Sequence, residues 1–561
     1  MAEILNEINK LCLESLSTDW VDSVYNSEFL EFGDLPEEYE SLLESLDIKT
    51  IFQDTMNACD SWLDPNFNDG EERSWSVISH QIKHQSLLSL LAYFIDNGSK
   101  NVLTKEHRNN AILAARVYYK LLLIPGYKVY HIYHSQLFAH SLVCLSFPKT
   151  MCDNEDNYFN ARELSCEVNY LIKKLGKFVT DLKTIIETLQ LKPSDMNFED
   201  IMSNLVDITG GAIVNKLNID KIELANVSRT IYEMIDILIC GSNQTPNPLS
   251  IQVLFKCLLP KLISASVDSR NVHNVVRASY VTYSGLLLTK YGKAALNGYT
   301  ILLQHLCYTL DGLERAEVRT ARVSLVVGLM SLLPTKSYKK IVTWLLKLSS
   351  TSKISHRQVA LEILSKLLSN DPEPSKDNPE SNSGNTGNTN ESTASENEMP
   401  EQANDTEIIG ENAEEQLPTN DDDEITDEEV SNLLMQRAHV ISHSEVLRAV
   451  YERVHDTSST IRTRALAILT DCLQSEVPAI KEAMQELSGE GEVSRLAALG
   501  ARCVCDERAV VRKAAVGLIH RLIANTSDGQ TPNKEYAAGG RSWGSPHSVD
   551  FLVVTPGQRR A

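Results

Sequence analysis

Ile461-Arg462-Thr463-Arg464-Ala465 begins a predicted helix, and its order of apolar residue, arginine and small residue returns along the chain. The other copies, with a weaker one at 356–360, are Val276-Arg277-Ala278, Val318-Arg319-Thr320-Ala321, His356-Arg357-Gln358-Val359-Ala360 and Val511-Arg512-Lys513-Ala514-Ala515. The arginines are 42 residues apart from 277 to 319, 38 from 319 to 357 and 50 from 462 to 512. Periods of about 40–47 residues with two helices each are typical of HEAT and armadillo arrays.

The apolar residues within these copies recur with the period of an α-helix. Ile461, Ala465, Leu469 and Cys472 fall on one helical face, and sustained alternation of the strand type is absent. The sequence therefore predicts an all-α protein, a HEAT/armadillo-like right-handed α-solenoid. In such an array no helix pair buries its apolar face alone, and the stack presents long surfaces to partners.

The recurring arginines have two interpretations. Asp456 and Asp506 lie six residues before an arginine, where an acidic residue caps the following helix. A guanidinium pairs well with such a carboxylate, so the favoured role is a bridge between repeats. The alternative is contact with phosphates on the concave face of the array. The predicted structural arginines are Arg277, Arg319, Arg357, Arg462 and Arg512.

The negative charge of the chain is confined to one segment. The 561 residues carry a formal charge of −22, and residues 371–429 alone contribute 20 acidic residues and one lysine. Low apolar content with high charge does not offset the entropy of ordering, so this insert is predicted to be disordered. The insert is one of five regions that the sequence predicts. These are an irregular N-terminal helical region (1–150), HEAT-like helix pairs (160–370), the acidic disordered insert (371–429), HEAT-like repeats (430–525) and an atypical, disordered tail (526–561).

The cysteines and the apolar content indicate a cellular compartment. Eleven cysteines are scattered without a CxxC pair, which is typical of reduced thiols in the cytosol or nucleus. The start of the chain lacks the basic and apolar regions of a signal peptide. The most apolar stretch, Val323–Leu333, has about half the length that a membrane span needs. We therefore expect a soluble intracellular protein with no membrane partner.

Five segments of the chain carry a resemblance to one known family. They are Asp19-Trp20-Val21-Asp22-Ser23-Val24-Tyr25, Tyr119-Lys120-Leu121-Leu122-Leu123-Ile124-Pro125-Gly126, Ala161-Arg162-Glu163-Leu164-Ser165, Ile301-Leu302-Leu303-Gln304-His305-Leu306-Cys307 and Ile341–Leu368. Together they resemble the D-type HEAT subunit of condensin II, of the D-three type, and they occur in the order of that family. The resemblance covers about 1–370 and 430–525, discontinuously, and is most specific from Ile341 to Leu368.

This resemblance implies a non-catalytic subunit without a cofactor. Family members bind the kleisin subunit, act beside the coiled-coil ATPase subunits and a second HEAT subunit, and contact DNA and chromatin. The implied role is mitotic chromosome condensation and segregation in the nucleus. Family members are much longer, so a fragment or truncated product is expected, and the N-terminal part alone is represented here.

Motifs for catalysis or metal binding are weak in this sequence. Gly292-Lys293 is followed by Ala294 and has no second glycine five residues earlier, so it is no phosphate loop. His131, His134, His140 and Cys144 suggest zinc, but helix packing is favoured because a second ligand pair is missing. We therefore expect no enzyme, no metal site and no small-molecule substrate.

One basic run is the candidate contact for the DNA backbone. Its alternatives are a sequence-independent phosphate surface and an ordinary solvated helix face. A second, weaker run comprises Lys173, Lys174, Lys177 and Lys183. The candidate residues of the first run are Lys336, Lys339, Lys340, Lys347 and Lys353.

Other solenoid functions remain open alternatives. One is an importin-like transport receptor, and another is a regulatory scaffold for a phosphatase or kinase. The five tryptophans are dispersed, whereas a transport receptor is expected to show ladders of tryptophan and asparagine. The related subunit of condensin I is the alternative most similar to this family, and the segment 341–368 favours condensin II.

Overall fold

The computed structural model describes most of the chain as helices. The described residues are 1–64, 72–154, 157–209, 219–267, 271–309, 316–369, 442–488 and 495–528. Within these ranges no residue is assigned to a β-strand, so the prediction of an all-α fold is confirmed. The predicted acidic insert, 371–429, and the tail beyond residue 528 lie outside the described residues.

The N-terminal part contains many short helices. The helices are α1 (Ala2–Asn9), α2 (Thr18–Asn26), α3 (Glu37–Ser45), α4 (Ile48–Leu63), α5 (Trp75–Ile78), α6 (His84–Lys100), α7 (Lys105–Leu123), α8 (Ser135–Ser141) and α9 (Phe147–Asp153). Short 3₁₀ turns at Leu13–Ser15 and Leu142–Ser146 interrupt them. After α7 the chain reverses at Gly126, whose φ of 91° favours glycine.

Longer helices follow in the remainder of the chain. They are α10 (Ala161–Leu189), α11 (Phe198–Thr209), α12 (Lys221–Cys240), α13 (Pro248–Val267), α14 (Asn271–Tyr291), α15 (Lys293–Tyr308), α16 (Ala316–Ser331), α17 (Thr335–Leu348) and α18 (Ile354–Ser369). Beyond the insert are α19 (His443–Arg453), α20 (Ser459–Cys472), α21 (Pro478–Ser488), α22 (Arg495–Cys503) and α23 (Ala509–Asp528). A 3₁₀ turn at Gly241–Asn243 follows α12.

Local sequence explains where these helices begin. Asn160 and Glu163 form a capping box at the start of α10, with the Asn160 side chain accepting from the backbone N–H of Glu163 at 3.0 Å. Pro334 is the residue before α17 and lies in the short connection between α16 and α17. Asp220 caps α12, its side chain accepting from the backbone N–H of Ile222 at 3.1 Å.

Alternate helices stack into a row that runs through the molecule. In this row each helix packs on the next, which we call the arginine row because it carries the recurring arginines. Side-chain contacts join α12 to α14, since Tyr232 and Tyr283 have ring centroids 4.8 Å apart. The row comprises α4, α7, α10, α12, α14, α16, α18, α20 and α23.

A second row covers one side of the first. Within it α11 packs on α13 and α13 packs on α15. Helix α17 continues this row, because Trp344 of α17 meets Tyr308 of α15 edge-to-face at 5.6 Å. The apolar core lies between the two rows, as the HEAT-like prediction requires. Among the described helices, none combines the length and the apolar character needed to cross a membrane.

Candidate interaction surfaces

One contact in the arginine row joins the helices that precede the acidic insert in the sequence to those that follow it. Arg357 Nη2 donates to Asp456 Oδ1 at 2.7 Å, and the two side chains are only 6% and 3% exposed. Arg357 Nη1 also donates to the backbone carbonyls of Thr351 at 2.8 Å and Ser352 at 2.6 Å. The guanidinium therefore binds its own turn with one edge and the next repeat with the other.

The next repeat reproduces this arrangement. Arg462 Nη1 donates to the carbonyls of Asp456 at 2.9 Å and Thr457 at 3.2 Å. Its Nη2 donates to Asp506 Oδ1 at 3.0 Å, and Asp506 also accepts from the backbone N–H of Arg508 at 2.9 Å. One aspartate thus accepts a backbone N–H in the turn before its own helix and also receives the arginine of the preceding repeat. We call this repeated contact the arginine ladder.

The ladder changes the acidity of its carboxylates. The hydrogen bond from Arg462 lowers the pKa of Asp506. Burial acts to raise the pKa of Asp456, but the hydrogen bonds from Arg357 and from the backbone of Ser458 outweigh it, so this pKa also lies below its usual value. Both aspartates are therefore held in the charged form that the arginines need.

The sequence did not identify the N-terminal member of the ladder. Arg108 is completely buried near the start of α7, where Nη1 donates to the carbonyl of Val102 at 2.7 Å and Nη2 donates to Glu167 Oε2 at 2.6 Å. This arginine donates to the carbonyl six residues before it, as Arg357 and Arg462 do. The signal that was available is an arginine followed three residues later by an alanine, Ala111, at the start of an apolar helix.

The remaining predicted arginines differ from one another. Arg319 Nε lies 3.1 Å from both carboxylate oxygens of Glu362, which belongs to the body of α18 and not to a turn. Arg512 Nη1 binds its own turn through the carbonyls of Asp506 at 2.8 Å and Glu507 at 3.0 Å, but the residue is exposed. Arg277 lies in α14, and its side chain is outside the described residues.

The candidate DNA-contacting lysines lie on and beside α17. All five residues are exposed, and Lys353 follows α17 in the turn before α18. At about 100° per residue, Lys336, Lys340 and Lys347 fall within about 40° of one another, with Lys339 about 60° to one side. The opposite face of α17 is buried, through Tyr338, Ile341, Val342, Leu345 and Leu348.

The stretch of sequence around these lysines carries charge of one sign only. From residue 318 to residue 361 the chain contains eight lysines and arginines and no aspartate or glutamate. Across the described part of the chain, Lys339, Lys340 and Lys347 form no ion pair with a carboxylate. We define the α17 lysine surface as the five lysines 336, 339, 340, 347 and 353. Such a surface attracts polyanions without reading a base sequence.

Aromatic residues support the flank of this surface. Trp344 is half-buried and meets Tyr308, which in turn has its ring centroid 4.9 Å from that of His356 on α18. These contacts fix the orientation of α17 relative to α15 and α18. The lysines are therefore presented by a rigid element, although their own side chains extend into solvent.

The second lysine run is partly committed to other contacts. Lys183 donates to Glu233 Oε2 at 2.6 Å, which links α10 to α12 within the arginine row. Lys174 lies over the ring of Tyr170 at 5.4 Å. Two exposed members, Lys173 and Lys177, remain on the surface of α10. This run therefore forms a smaller basic surface than the one on α17.

The histidines near residue 134 belong to a packed aromatic cluster. His134 Nε2 lies 2.8 Å from the Tyr25 hydroxyl, and its ring contacts Phe29 with centroids 5.0 Å apart. Burial lowers the pKa of His134 and of His140. Within the described ranges, no group of three or more potential metal ligands converges.

Comparisons with known proteins show which family the chain is similar to. Residues 20–162 match the family model described as "Condensin-2 complex subunit D3-like, N-terminal domain". Condensin-2 complex subunit D3-L of Xenopus laevis is 22% identical over 556 residues, covering 87% of this chain and 32% of that protein. Condensin-2 complex subunit D3 of Mus musculus is 23% identical over 420 residues, covering 64% of this chain and 27% of that protein.

The chain thus spans about a third of the length of the curated relatives it matches. These matches confirm the predicted resemblance to the D-type HEAT subunit of condensin II. Among solved structures, Kap121p bound to Nup53p aligns with a TM-score of 0.28 and 13% identity, covering 94% of this chain and 50% of that chain.

Proposed function

We propose that this chain, which resembles the D3 subunit of condensin-2 over most of its length, is a non-catalytic scaffold subunit of a condensin II complex. The observation that carries this proposal is the agreement of two sequence similarities. The family model matches the N-terminal residues 20–162, and the Xenopus laevis relative aligns over 87% of the chain. The stacked helices of the described residues supply the extended surface that a scaffold needs.

The proposed partners follow from the complex. In this role the chain binds the kleisin subunit, acts with the coiled-coil ATPase subunits and the second HEAT subunit, and supports mitotic chromosome condensation and segregation in the nucleus. The ATPase chemistry belongs to the partner subunits in this proposal. The long rows of helices offer the extended surfaces that a kleisin segment would follow.

The proposed contact with DNA and chromatin is the α17 lysine surface. It combines five exposed lysines, a stretch of 44 residues without an acidic residue and a helix that is fixed by aromatic packing. Lysine ammonium groups on one helical face neutralise phosphates and release counterions, which gives binding that is independent of base sequence and sensitive to salt. The arginine ladder does not serve this purpose, because Arg357 and Arg462 are enclosed by carbonyl and carboxylate groups.

Affinity purification of the chain from dividing cells, followed by mass spectrometry, tests the proposed complex. We expect a kleisin and two coiled-coil ATPases to be recovered together, at comparable abundance. Recovery of nuclear transport cargo or of a phosphatase catalytic subunit, without the ATPases, would contradict the proposal and favour an importin-like or phosphatase-regulatory scaffold.

A further inference from the structure

Three rings from three helices meet beside the α17 lysine surface. Trp344 of α17 packs edge-to-face on Tyr308 of α15, with ring centroids 5.6 Å apart. Tyr308 also lies 4.9 Å from the ring of His356 on α18, at an interplanar angle of 55°. We call these three residues the Tyr308 cluster. Tyr308 takes part in both ring contacts and is 40% exposed, so the cluster is accessible to solvent through its shared member.

The Tyr308 cluster adjoins lysines on two of its three sides in the sequence. At about 100° per residue, Trp344 lies about 40° from Lys340 and about 60° from Lys347 around α17. Lys353 lies three residues before His356, in the turn that leads into α18. The rings therefore border the lysine surface on the side where Trp344 meets α15.

The helices that carry the rings contain very little negative charge. Helices α15 and α17 include no aspartate or glutamate, and α18 includes one acidic residue, Glu362. Arg319 of α16 binds that carboxylate, since its Nε lies 3.1 Å from both oxygens. A polyanion that reaches the rings therefore meets lysines, and the one carboxylate on these three helices is already neutralised.

Aromatic rings beside lysines can bind a nucleobase as well as a phosphate. In a duplex the bases are stacked on one another, so an exposed protein ring gains no contact with their faces. An unpaired base has a free face, which stacks on an aromatic ring whatever the identity of the base. Lysines alone do not separate the two forms in this way, because both carry phosphates.

We propose that the Tyr308 cluster stacks on an unpaired base of a single-stranded nucleic acid whose phosphates contact Lys347 and Lys353. Tyr308 is the stacking ring, because it is the most exposed of the three residues. Trp344 and His356 hold its ring in place through their own contacts with it. This inference rests on the proposed DNA contact of α17 and adds a mode of binding that a duplex does not share.

Anisotropy titrations of the full chain test the stacking ring. The probes are a labelled oligothymidine of about 20 nucleotides, an oligouridine of the same length and a duplex of the same length. Tyr308→Leu removes the ring and keeps an apolar side chain. We expect it to weaken binding of the single strands at least about fivefold and to leave duplex binding within about twofold of wild type. Tyr308→Phe keeps the ring and should bind all probes as wild type does.

Two further variants separate this inference from the proposed DNA contact. Tyr158→Leu removes a ring that is 71% exposed elsewhere in the chain, and it should leave the binding of every probe unchanged. Glutamine at the five lysines of the α17 lysine surface should weaken the binding of every probe, because single strands and duplexes both lose phosphate contacts.

The possible results lead to different conclusions. Single-strand binding that is unchanged in Tyr308→Leu overturns this inference and leaves the proposed DNA contact to the lysine variant alone. Equal loss of single strands and duplex in Tyr308→Leu also overturns it, because the ring would then act only by holding the lysines in place. Unchanged binding in the lysine variant overturns the proposed DNA contact together with this inference. Selective loss for oligothymidine alone, or for oligouridine alone, assigns the ligand to DNA or to RNA.

A photocrosslink locates the base directly. Bromouracil replaces thymine at one position of the oligothymidine, the complex with the full chain is irradiated, and the modified peptides are identified by mass spectrometry. We expect adducts on Tyr308 or Trp344, at a lower yield in Tyr308→Leu. Adducts confined to residues outside α15, α17 and α18 would overturn the assignment of the base to this cluster.

Discussion

Arg357 and Asp456 lie 99 residues apart in the sequence, and their side chains meet at 2.7 Å. This pair joins α18 to the turn before α20, so the array continues across the position of the acidic insert. Asp456 then presents its own carbonyl to Arg462. Asp456 takes part in both contacts of the ladder. We therefore expect the loss of Arg357 or of Arg462 to destabilise both repeats.

Arg357→Ala is expected to destabilise the array strongly. The substitution leaves the carboxylate of Asp456 buried without its guanidinium partner, at a cost of about 3–5 kcal/mol. The matched control is Arg512→Ala, which removes an arginine at the equivalent position of an exposed helix end. Thermal unfolding followed by circular dichroism should show a large decrease for Arg357→Ala and little change for Arg512→Ala. Similar midpoints for both variants would refute a structural ladder.

Deletion of residues 371–429 is expected to leave the fold intact. The Arg357–Asp456 pair and the packing of α18 on α20 involve residues outside this segment. The unfolding midpoint of the deletion variant should therefore match that of the full chain. The deletion could instead lower the midpoint substantially, and a neutral linker of equal length could then restore it. That result would show that the array requires a connection of this length between α18 and α19. A lower midpoint that the neutral linker does not restore would show that the insert contributes contacts to the array.

The N-terminal region is expected to lose stability in mild acid through the half-buried His134. Burial places the pKa of His134 below its value in the unfolded chain, so the unfolded chain binds a proton first as the pH falls. The folded state is therefore at full stability above about pH 6.5 and loses stability below it, until the folded pKa is also passed.

His134→Gln should reduce this pH dependence, while His520→Gln, at an exposed position of α23, should keep it. Unfolding monitored by tryptophan fluorescence between about pH 7.5 and pH 5 provides the measurement. An identical pH dependence in wild type and His134→Gln would assign the acid sensitivity to other groups.

The sequence predicted the array because its period and arginine spacing are local properties of the chain. The predicted helix starts near Arg462 and Arg512 agree with the structure, in which α20 begins at Ser459 and α23 at Ala509. The carboxylate partners of the arginines are harder to predict from the sequence. Glu362 was not anticipated for Arg319, because it lies within a helix and reaches the arginine through the stacking of α16 on α18.

Physical reasons explain why Arg108 was not predicted and why the function of the α17 lysines is still a prediction. Arg108 was missed because its repeat departs from the apolar-arginine-small pattern, and its carboxylate, Glu167, lies on the neighbouring helix α10. The lysines of α17 were found as a run of charge, but their placement opposite the buried face follows only from the helix. Their function stays a prediction, because exposure alone does not distinguish a solvated face from a DNA contact.

DNA binding at several salt concentrations tests the proposed function of the α17 lysine surface most directly. The variant carries glutamine at 336, 339, 340, 347 and 353. The control carries glutamine at five exposed lysines elsewhere, namely Lys49, Lys128, Lys192, Lys221 and Lys293. Duplexes of unrelated sequence are compared for both, for wild type and for the chain without residues 371–429.

We predict weak binding that the five-site variant loses equally for all duplexes, with a logarithmic salt slope reduced by about 0.9 for each lost phosphate contact. The control should retain the wild-type slope, and the deletion should bind more tightly if the acidic insert competes for the same surface. Identical slopes for wild type, the five-site variant and the deletion would contradict a DNA contact on α17, leaving protein partners as the remaining function of the array.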